Sequence, residues 1–552
     1  MKVWMDEDTG RSLRWYDIWS RFQPRTPMGQ RAKESLSPFM PGEEKEWQRS
    51  LAEQEGLRAA RNSRADWGRR VEELLKRLPD PSAVLRMLER RETPKVSDWF
   101  RLKQFLWQGR LLREWIPEAA PDFRFRTQEE EWREGIALMD PGSVPSAAFA
   151  LTPALDPRLG PLQSRRDEEE RRAEEARERA ATVVEEDYPL RRNREGEWVV
   201  DRHSPLLKKI LEDPRVLRVR ETPFEVICRP SPTREETEAI RRLNLAKEEL
   251  EAVEREILTR LVASFQPKLP FLAEAVEEMA HLDLQWARMQ AAEGWDGTRP
   301  LPGESYRIEG GVHPLVAETL EQQGRSFTPV NVEVGQGATV IIGPNMGGKT
   351  VALTTVGLIA ALGQYGFLVP ACRSSMPLVP WIVAVIGDGQ DSRSGLSTFG
   401  AEVRRIADTF SLPEGGLLLA DEVGRGTNPV EGAALSAALT GHLARCGNRS
   451  LQVTHFREVL EVGEARVYRV MGLSRDLGSS SFPPSNGEGE RILAEGMDYR
   501  LIPWEGEPVP RDALTIAGLL GLPRGILQDA QRRLGQTATE GGKATKSKGV
   551  TE

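Results

Sequence analysis

ATVIIGPNMGGKT, residues 338–350, is a run of small and branched apolar residues that breaks into Gly343-x-x-x-x-Gly348-Lys349-Thr350 and continues into VALTTVGLIAALG. The pattern predicts a buried strand, a glycine-rich loop and a helix. Glycines at Gly343, Gly347 and Gly348 let successive backbone N–H groups turn inward around phosphate oxygens, with Pro344 in the same loop, and the helix N-terminus adds partial positive charge. Lys349 is then placed to bridge the β- and γ-phosphates of ATP, and the Thr350 hydroxyl to ligate Mg2+. Such a motif can arise by chance, but an apolar strand before it and a helix after it make accident a poor account.

Further along, GGLLLADEVGRGT (415–427) is an apolar run that ends in adjacent carboxylates. Asp421 at the strand tip is placed to hold Mg2+ through water, and Glu422 to orient and polarise an attacking water. Alone, the run is equally an ordinary strand-to-loop junction. Beside a phosphate loop it reads as the second half of a nucleotide site. Around both motifs, from about 301 to 535, short apolar runs alternate with glycine-rich turns and helix-period stretches, the pattern of an α/β domain.

The 552 residues exceed one hydrophobic core, so several domains are expected. Residues 1–160 are rich in Trp, Arg and Pro and carry helix-period stretches, which predicts a helical domain. Within it RLKQFLWQGRLLR (101–113) sets Arg101, Lys103, Arg110 and Arg113 among Phe105 and Trp107 with no acid. Two readings stand: a nucleic-acid groove, or an amphipathic helix with its aromatics in the core. Residues 165–187 mix charges of both signs at helical spacing and read as an exposed, solvated arm. Residues 233–262 place Leu243, Ala246, Leu250, Val253, Ile257 and Leu261 in a coiled-coil-like seam, and 269–294 is expected to fold back on it as an antiparallel partner. The 161–300 region is thus expected to be lever helices with a reduced clamp. The tail, 536–552, is small and polar and is expected to be disordered.

The global numbers exclude more than they assign. With 76 Lys+Arg against 84 Asp+Glu the net charge is -8, so any phosphate-binding patch must be local. Three scattered cysteines exclude a disulfide scaffold and a zinc ribbon. Five histidines, none in a metal-binding spacing, leave little for a transition-metal centre. The opening residues lack the features of a signal peptide and no run suits a membrane span, so a soluble, cytoplasmic protein is expected.

GPNMGGKT, SGLSTF (394–399), ADEVGRGT (420–427) and VTHF (453–456), in that order, resemble the ATPase domain of the MutS family over roughly residues 301–535. IGDGQ (386–390) and NPVEGAAL (428–435) lean towards the Smr-bearing branch, and GRGT (424–427) towards DNA mismatch repair MutS. The resemblance implies a helical core and long levers followed by an ABC-type P-loop ATPase domain. It implies a homodimer, or a heterodimer with a related MutS-like subunit. Ser397 matches a serine used in trans at the partner's γ-phosphate, Asn345 and Met346 match the distinctive insert of the phosphate loop, His455 matches a γ-phosphate sensor, and Phe327 an aromatic that stacks on adenine. Each has a plainer reading as helix cap, strand-end residue or core aromatic. ALTIAGLLGLPRGILQDAQRRL (513–534) is similar to the helical pair that helps hold the family's dimer.

The departures set the expected function. Residues 1–24 are too few for a mismatch-reading domain, no F-x-E wedge lies upstream, and no Smr-like segment follows 535, so both domains are expected to be missing. The resemblance therefore implies an ATP-hydrolysing dimer that moves levers on distorted or branched DNA, in repair or recombination. The alternative is a protein-remodelling ATPase, such as a reactivating factor for a cobalamin-dependent lysine aminomutase.

Overall fold

A computed structural model describes residues 4–142, 146–193, 195–344, 347–387, 398–473, 493, 496–507 and 512–544. It combines a large helical part with three sheets. The smallest sheet is antiparallel, in the order β1 (Trp198–Asp201), β3 (Glu225–Pro230), β2 (Val216–Glu221), with Trp198, Val200, Val226 and Cys228 buried on its inner face. Residues 301–376 supply β4 (Leu301–Pro302), β5 (Tyr306–Gly311), β6 (Val330–Val334), β7 (Gly337–Ile342) and β8 (Arg373–Met376). Of these, β4, β8, β5 and β6 make a four-stranded sheet.

The strand β7 belongs instead to a six-stranded sheet with β9 (Ile382–Val385), β10 (Leu417–Asp421), β11 (Arg449–Thr454), β12 (Arg466–Leu473) and β13 (Met497–Pro503), in the order β13-β12-β7-β11-β10-β9. All neighbours are parallel except the β12–β13 pair. Helices cover the sheet on both faces, which is why β7 is buried at every residue and β10 reads Leu417-Leu418-Leu419-Ala420. Register aligns Ile342 with Thr454 and Val453 with Asp421. The loops leaving β7, β10 and β11 therefore emerge side by side at the carboxyl edge of the sheet, where ligands of open α/β sheets sit.

The chain's start joins this sheet. Met5 bridges Ile382 in parallel, the Ile382 N–H donates to the Trp4 carbonyl at 2.9 Å, and the Trp4 indole donates to the Val379 carbonyl at 3.0 Å. Residues 4–12 thus cover an edge strand, a device that blocks intermolecular strand pairing, rather than packing within the helical part.

The helices of residues 27–139 pack with Leu269–Glu293, which is buried on nearly every side. Its all-round burial, which takes in Glu278, Asp283, Gln285 and Arg288, explains a correction to the expected lever. Leu269–Glu293 is a core helix, and the partner of Arg234–Phe265 is Leu159–Asp187. The seam residues Leu243, Ala246, Leu250, Val253, Ile257 and Leu261 are all buried. Ion pairs fix the direction: Arg158–Glu256 and Arg165–Glu249 at 2.7 Å, then Arg179–Glu235 at 2.6 Å, rising along one helix and falling along the other. The pair is antiparallel, and the charged run 165–187 is one of its members, not a free arm. Exposed pairs of this kind contribute little individually, so they set register while the seam holds the helices together.

The basic stretch 101–113 lies in Val96–Ala119 and takes the second of its two readings. Phe105 is fully buried against Trp132, Lys103 donates to Asp140 at 2.7 Å, and Arg113 pairs with buried Glu278 at 2.8 Å. Arg110 lies over Trp107 and within 3.9 Å of Glu129. At the other end, Arg524–Ala544 is helical, so the tail expected to be disordered from 536 is helical as far as Ala544. Extending a formed helix adds a hydrogen bond per residue without a new nucleus, which offsets weak helix formers there. Among the described residues no helix is long and apolar enough to cross a membrane.

Candidate functional site

Gly348 caps the helix Lys349–Gln364 with φ +74°, a left-handed conformation that glycine adopts without strain. The turn aims Lys349 back at its own loop, where Nζ donates to the carbonyls of Gly343 at 3.1 Å and Pro344 at 3.0 Å. Nζ also lies 3.4 Å from Glu422 Oε1. Burial pushes the Lys349 ammonium below its ordinary pKa, against the opposing pull of Glu422. One residue on, the Thr350 hydroxyl donates to Asp421 Oδ2 at 2.8 Å.

Asp421 ends β10, and its other oxygen, Oδ1, is buried with no hydrogen-bond partner among the described residues. Burial raises the Asp421 pKa, and the neighbouring Glu422 charge adds to the rise. Glu422 has φ +50°, unusual for a residue with a side chain, and its N–H donates to the Val453 carbonyl at 2.8 Å. Its carboxylate stands 3.0 Å from Arg425 and 3.5 Å from His455 Nδ1. Four side chains from three separate segments of the sequence thus surround one partly buried carboxylate pair.

These groups open onto a cavity of about 880 Å³. Val316, Leu320 and Phe327 form an apolar wall, and Gly347, Gly348, Lys349, Thr350, Asp421 and Glu422 a polar floor. Of the residues singled out in the sequence, Gly343, Pro344, Gly347, Gly348, Lys349, Thr350, Asp421, Glu422 and His455 gather at this one edge, and Phe327 stands across the cavity. Asn345, Met346 and Ser397 lie outside the described residues. Sequence reasoning missed Glu402, Arg425 and Tyr499, all in the cavity wall. Arg425 was legible as part of GRGT, but Glu402 and Tyr499 carry no local signal. Tyr499 comes from β13 and packs so close to the phosphate loop that a Cβ at Gly348 would lie 2.9 Å from its Cδ1.

The donor set fits a magnesium nucleotide. Mg2+ is commonly held by one or two protein oxygens and completed by phosphates and water. Thr350 Oγ1 and the unpartnered Asp421 Oδ1 provide that kind of partial shell.

His313 is the N-cap of the helix Pro314–Gln322, which carries Val316 and Leu320 of the apolar wall, and is only 1% exposed. Burial, helped by the positive charge of Arg14, lowers its pKa to about 4. The folded chain therefore binds fewer protons than the unfolded chain between that value and the ordinary 6.5, so stability falls as pH falls through this window. Denaturant titrations at pH 7.5 and 4.5 should show a loss of roughly 2–3 kcal/mol that His313→Phe lacks. Equal losses in both proteins would refute the assignment.

Residues 339–477 match the family model described as MutS domain V, a segment that starts in β7 and contains both the phosphate loop and the carboxylate pair. The chain carries a MutS domain V. It is 32% identical over 319 residues to a protein named Endonuclease MutS2 from Thermomicrobium roseum, covering 54% of this chain and 38% of that protein. Proteins of the same name from Agathobacter rectalis and Thermotoga maritima are each 31% identical, over 54% of this chain and 36% and 37% of their own lengths. The chain spans less than two fifths of each of these MutS2 relatives.

Proposed function

We propose that this chain binds ATP with Mg2+ in the domain V cavity and hydrolyses it. The observation that carries the reading is convergence at one sheet edge: Thr350 Oγ1 lies 2.8 Å from Asp421, and Lys349 Nζ 3.4 Å from Glu422. Lys349 and the N–H groups of the loop hold the β- and γ-phosphates. Thr350 and Asp421 hold the metal, which when bound supplies positive charge against the phosphate oxygens. Glu422 orients a water and accepts its proton at the carboxylate, and His455, 3.5 Å away, fixes that carboxylate's direction and reads the γ-phosphate. Phe327 offers its ring to the base.

On the same reading the active form is an ABC-type dimer, with itself or with a related subunit, in which Ser397 of one copy completes the other's site. Binding ATP and closing the dimer are then linked equilibria, and closure swings the antiparallel helices Leu159–Asp187 and Arg234–Phe265. Their substrate is distorted or branched duplex DNA, recognised by shape through phosphate contacts. A second reading, protein remodelling, draws support from the net charge of -8. A salt titration of binding to duplex, junction and mismatched DNA separates the two. A DNA clamp should lose about tenfold or more in affinity between low and physiological salt, and its ATPase should respond to DNA. Flat or absent binding, with turnover indifferent to DNA, would move the assignment to remodelling.

A further inference from the structure

The helix Thr398–Thr409 is held from two sides. Its Arg405 donates to Asp6 at 2.7 Å and to the Thr9 hydroxyl at 2.9 Å, and pairs with Asp8 at 2.9 Å. Thr9 is wholly buried, and its hydroxyl also accepts the Ala384 N–H of β9 at 2.9 Å. The segment 4–12 thus ties this helix to the edge of the sheet. One turn before Arg405, Glu402 lines the cavity and its Oε1 accepts the Gly424 N–H at 3.2 Å.

Gly424 lies two residues beyond Glu422, in a loop with little freedom. It has φ +87°, and a Cβ there would lie 2.9 Å from Gly432 Cα. Glu422 itself sits at φ +50°, a strained conformation that persists only when its surroundings over-determine it. On the near side the Glu422 N–H is fixed by the Val453 carbonyl. On the far side the loop closes on itself, with the Arg425 N–H donating to the Glu422 carbonyl at 3.0 Å, and Glu402 holds it from the neighbouring helix by accepting the Gly424 N–H. A carboxylate beside Asp421 is electrostatically costly in a half-buried wall, and a plain packing role would be filled by an uncharged residue.

We propose that Glu402 is a positioning residue for Glu422, bracing the loop that carries the water-polarising carboxylate from a helix anchored by the N-terminal segment. This rests on the reading of Glu422 given above. The test uses the full chain with Glu402→Ala and Glu402→Gln, the latter keeping an acceptor oxygen. It measures kcat and KM for magnesium ATP, affinity for a fluorescent ATP analogue, and hydrogen exchange of a peptide containing Gly424. Misplacing a catalytic group by about 1 Å costs on the order of 10²-fold, so Glu402→Ala should lose about that much kcat while nucleotide affinity stays within about threefold. Glu402→Gln should recover most of the rate, and exchange at Gly424 should rise only in the alanine variant.

Any of these kinetic results overturns the proposal: a normal kcat in Glu402→Ala, equal losses in both variants, or affinity that falls in step with kcat, the mark of a ligand to metal or nucleotide. Unchanged exchange at Gly424 in Glu402→Ala, with wild-type turnover intact, defeats the brace and leaves the ATPase reading standing. Absence of magnesium-dependent turnover in the wild type defeats the ATPase reading itself and the positioning role with it.

Discussion

Lys349→Ala is expected to abolish nucleotide binding or turnover, with a fall in kcat/KM of at least about 10³-fold, since a fixed cation aimed at developing phosphate charge in a water-poor site is worth several kcal/mol. The ammonium is only 5% exposed and already faces the position a phosphate would take, tethered by the Gly343 and Pro344 carbonyls at 3.1 and 3.0 Å. Removing it does two things. It takes away the charge that binds the β- and γ-phosphates, and it leaves Glu422 and Asp421 adjacent with Arg425 and His455 as the remaining basic neighbours of Glu422. The second effect repels the incoming nucleotide as well, so the loss should exceed that of an exposed lysine contact. Isothermal titration with magnesium ATP, together with near-UV circular dichroism to show that the core is intact, checks it. Wild-type affinity and rate in a folded Lys349→Ala protein would end the phosphate-loop assignment.

What the sequence made legible were features encoded within short windows. The strand, loop and helix around 338–364 and the apolar strand ending at Asp421 are local patterns, and parallel register then brings their ends together. The seam from Leu243 to Leu261 was equally local, because period alone fixes which face is buried. Its partner was not. The segments 159–187 and 269–293 are both helical, and choosing between them requires weighing a more apolar helix against a densely charged one of both signs. The neighbouring position in sequence favoured the wrong one. The basic run 101–113 shows the same limit, since its charges find acids at Asp98, Glu129, Asp140 and Glu278, none within the run. Glu402 and Tyr499 reach the cavity through long-range packing, for which a single sequence holds no periodic or motif signal. Residues 4–12, too short for a pattern, declare themselves only through the bonds to Val379, Ile382 and Ala384.

Glu422→Gln should separate binding from chemistry. The substitution keeps the size and the planar head of the side chain but removes the proton acceptor, so turnover should fall about 10²–10⁴-fold, the usual contribution of a general base. Binding should survive, because Lys349, Thr350 and Asp421 are untouched and one negative charge has gone from beside the phosphates. The backbone is not a confounder: glutamine inherits the same φ of +50° at similar cost, whereas glycine would relax it. If nucleotide binding and dimer closure are linked, the variant should also accumulate as a nucleotide-dependent dimer, visible by sedimentation velocity with and without magnesium ATP. Rapid-quench measurement of phosphate release distinguishes the cases. A variant that turns over at the wild-type rate would remove Glu422 from the chemistry. One that loses affinity as well as rate would make Glu422 a binding group, and the base would then have to be sought among the other carboxylates of the cavity, Asp421 and Glu402.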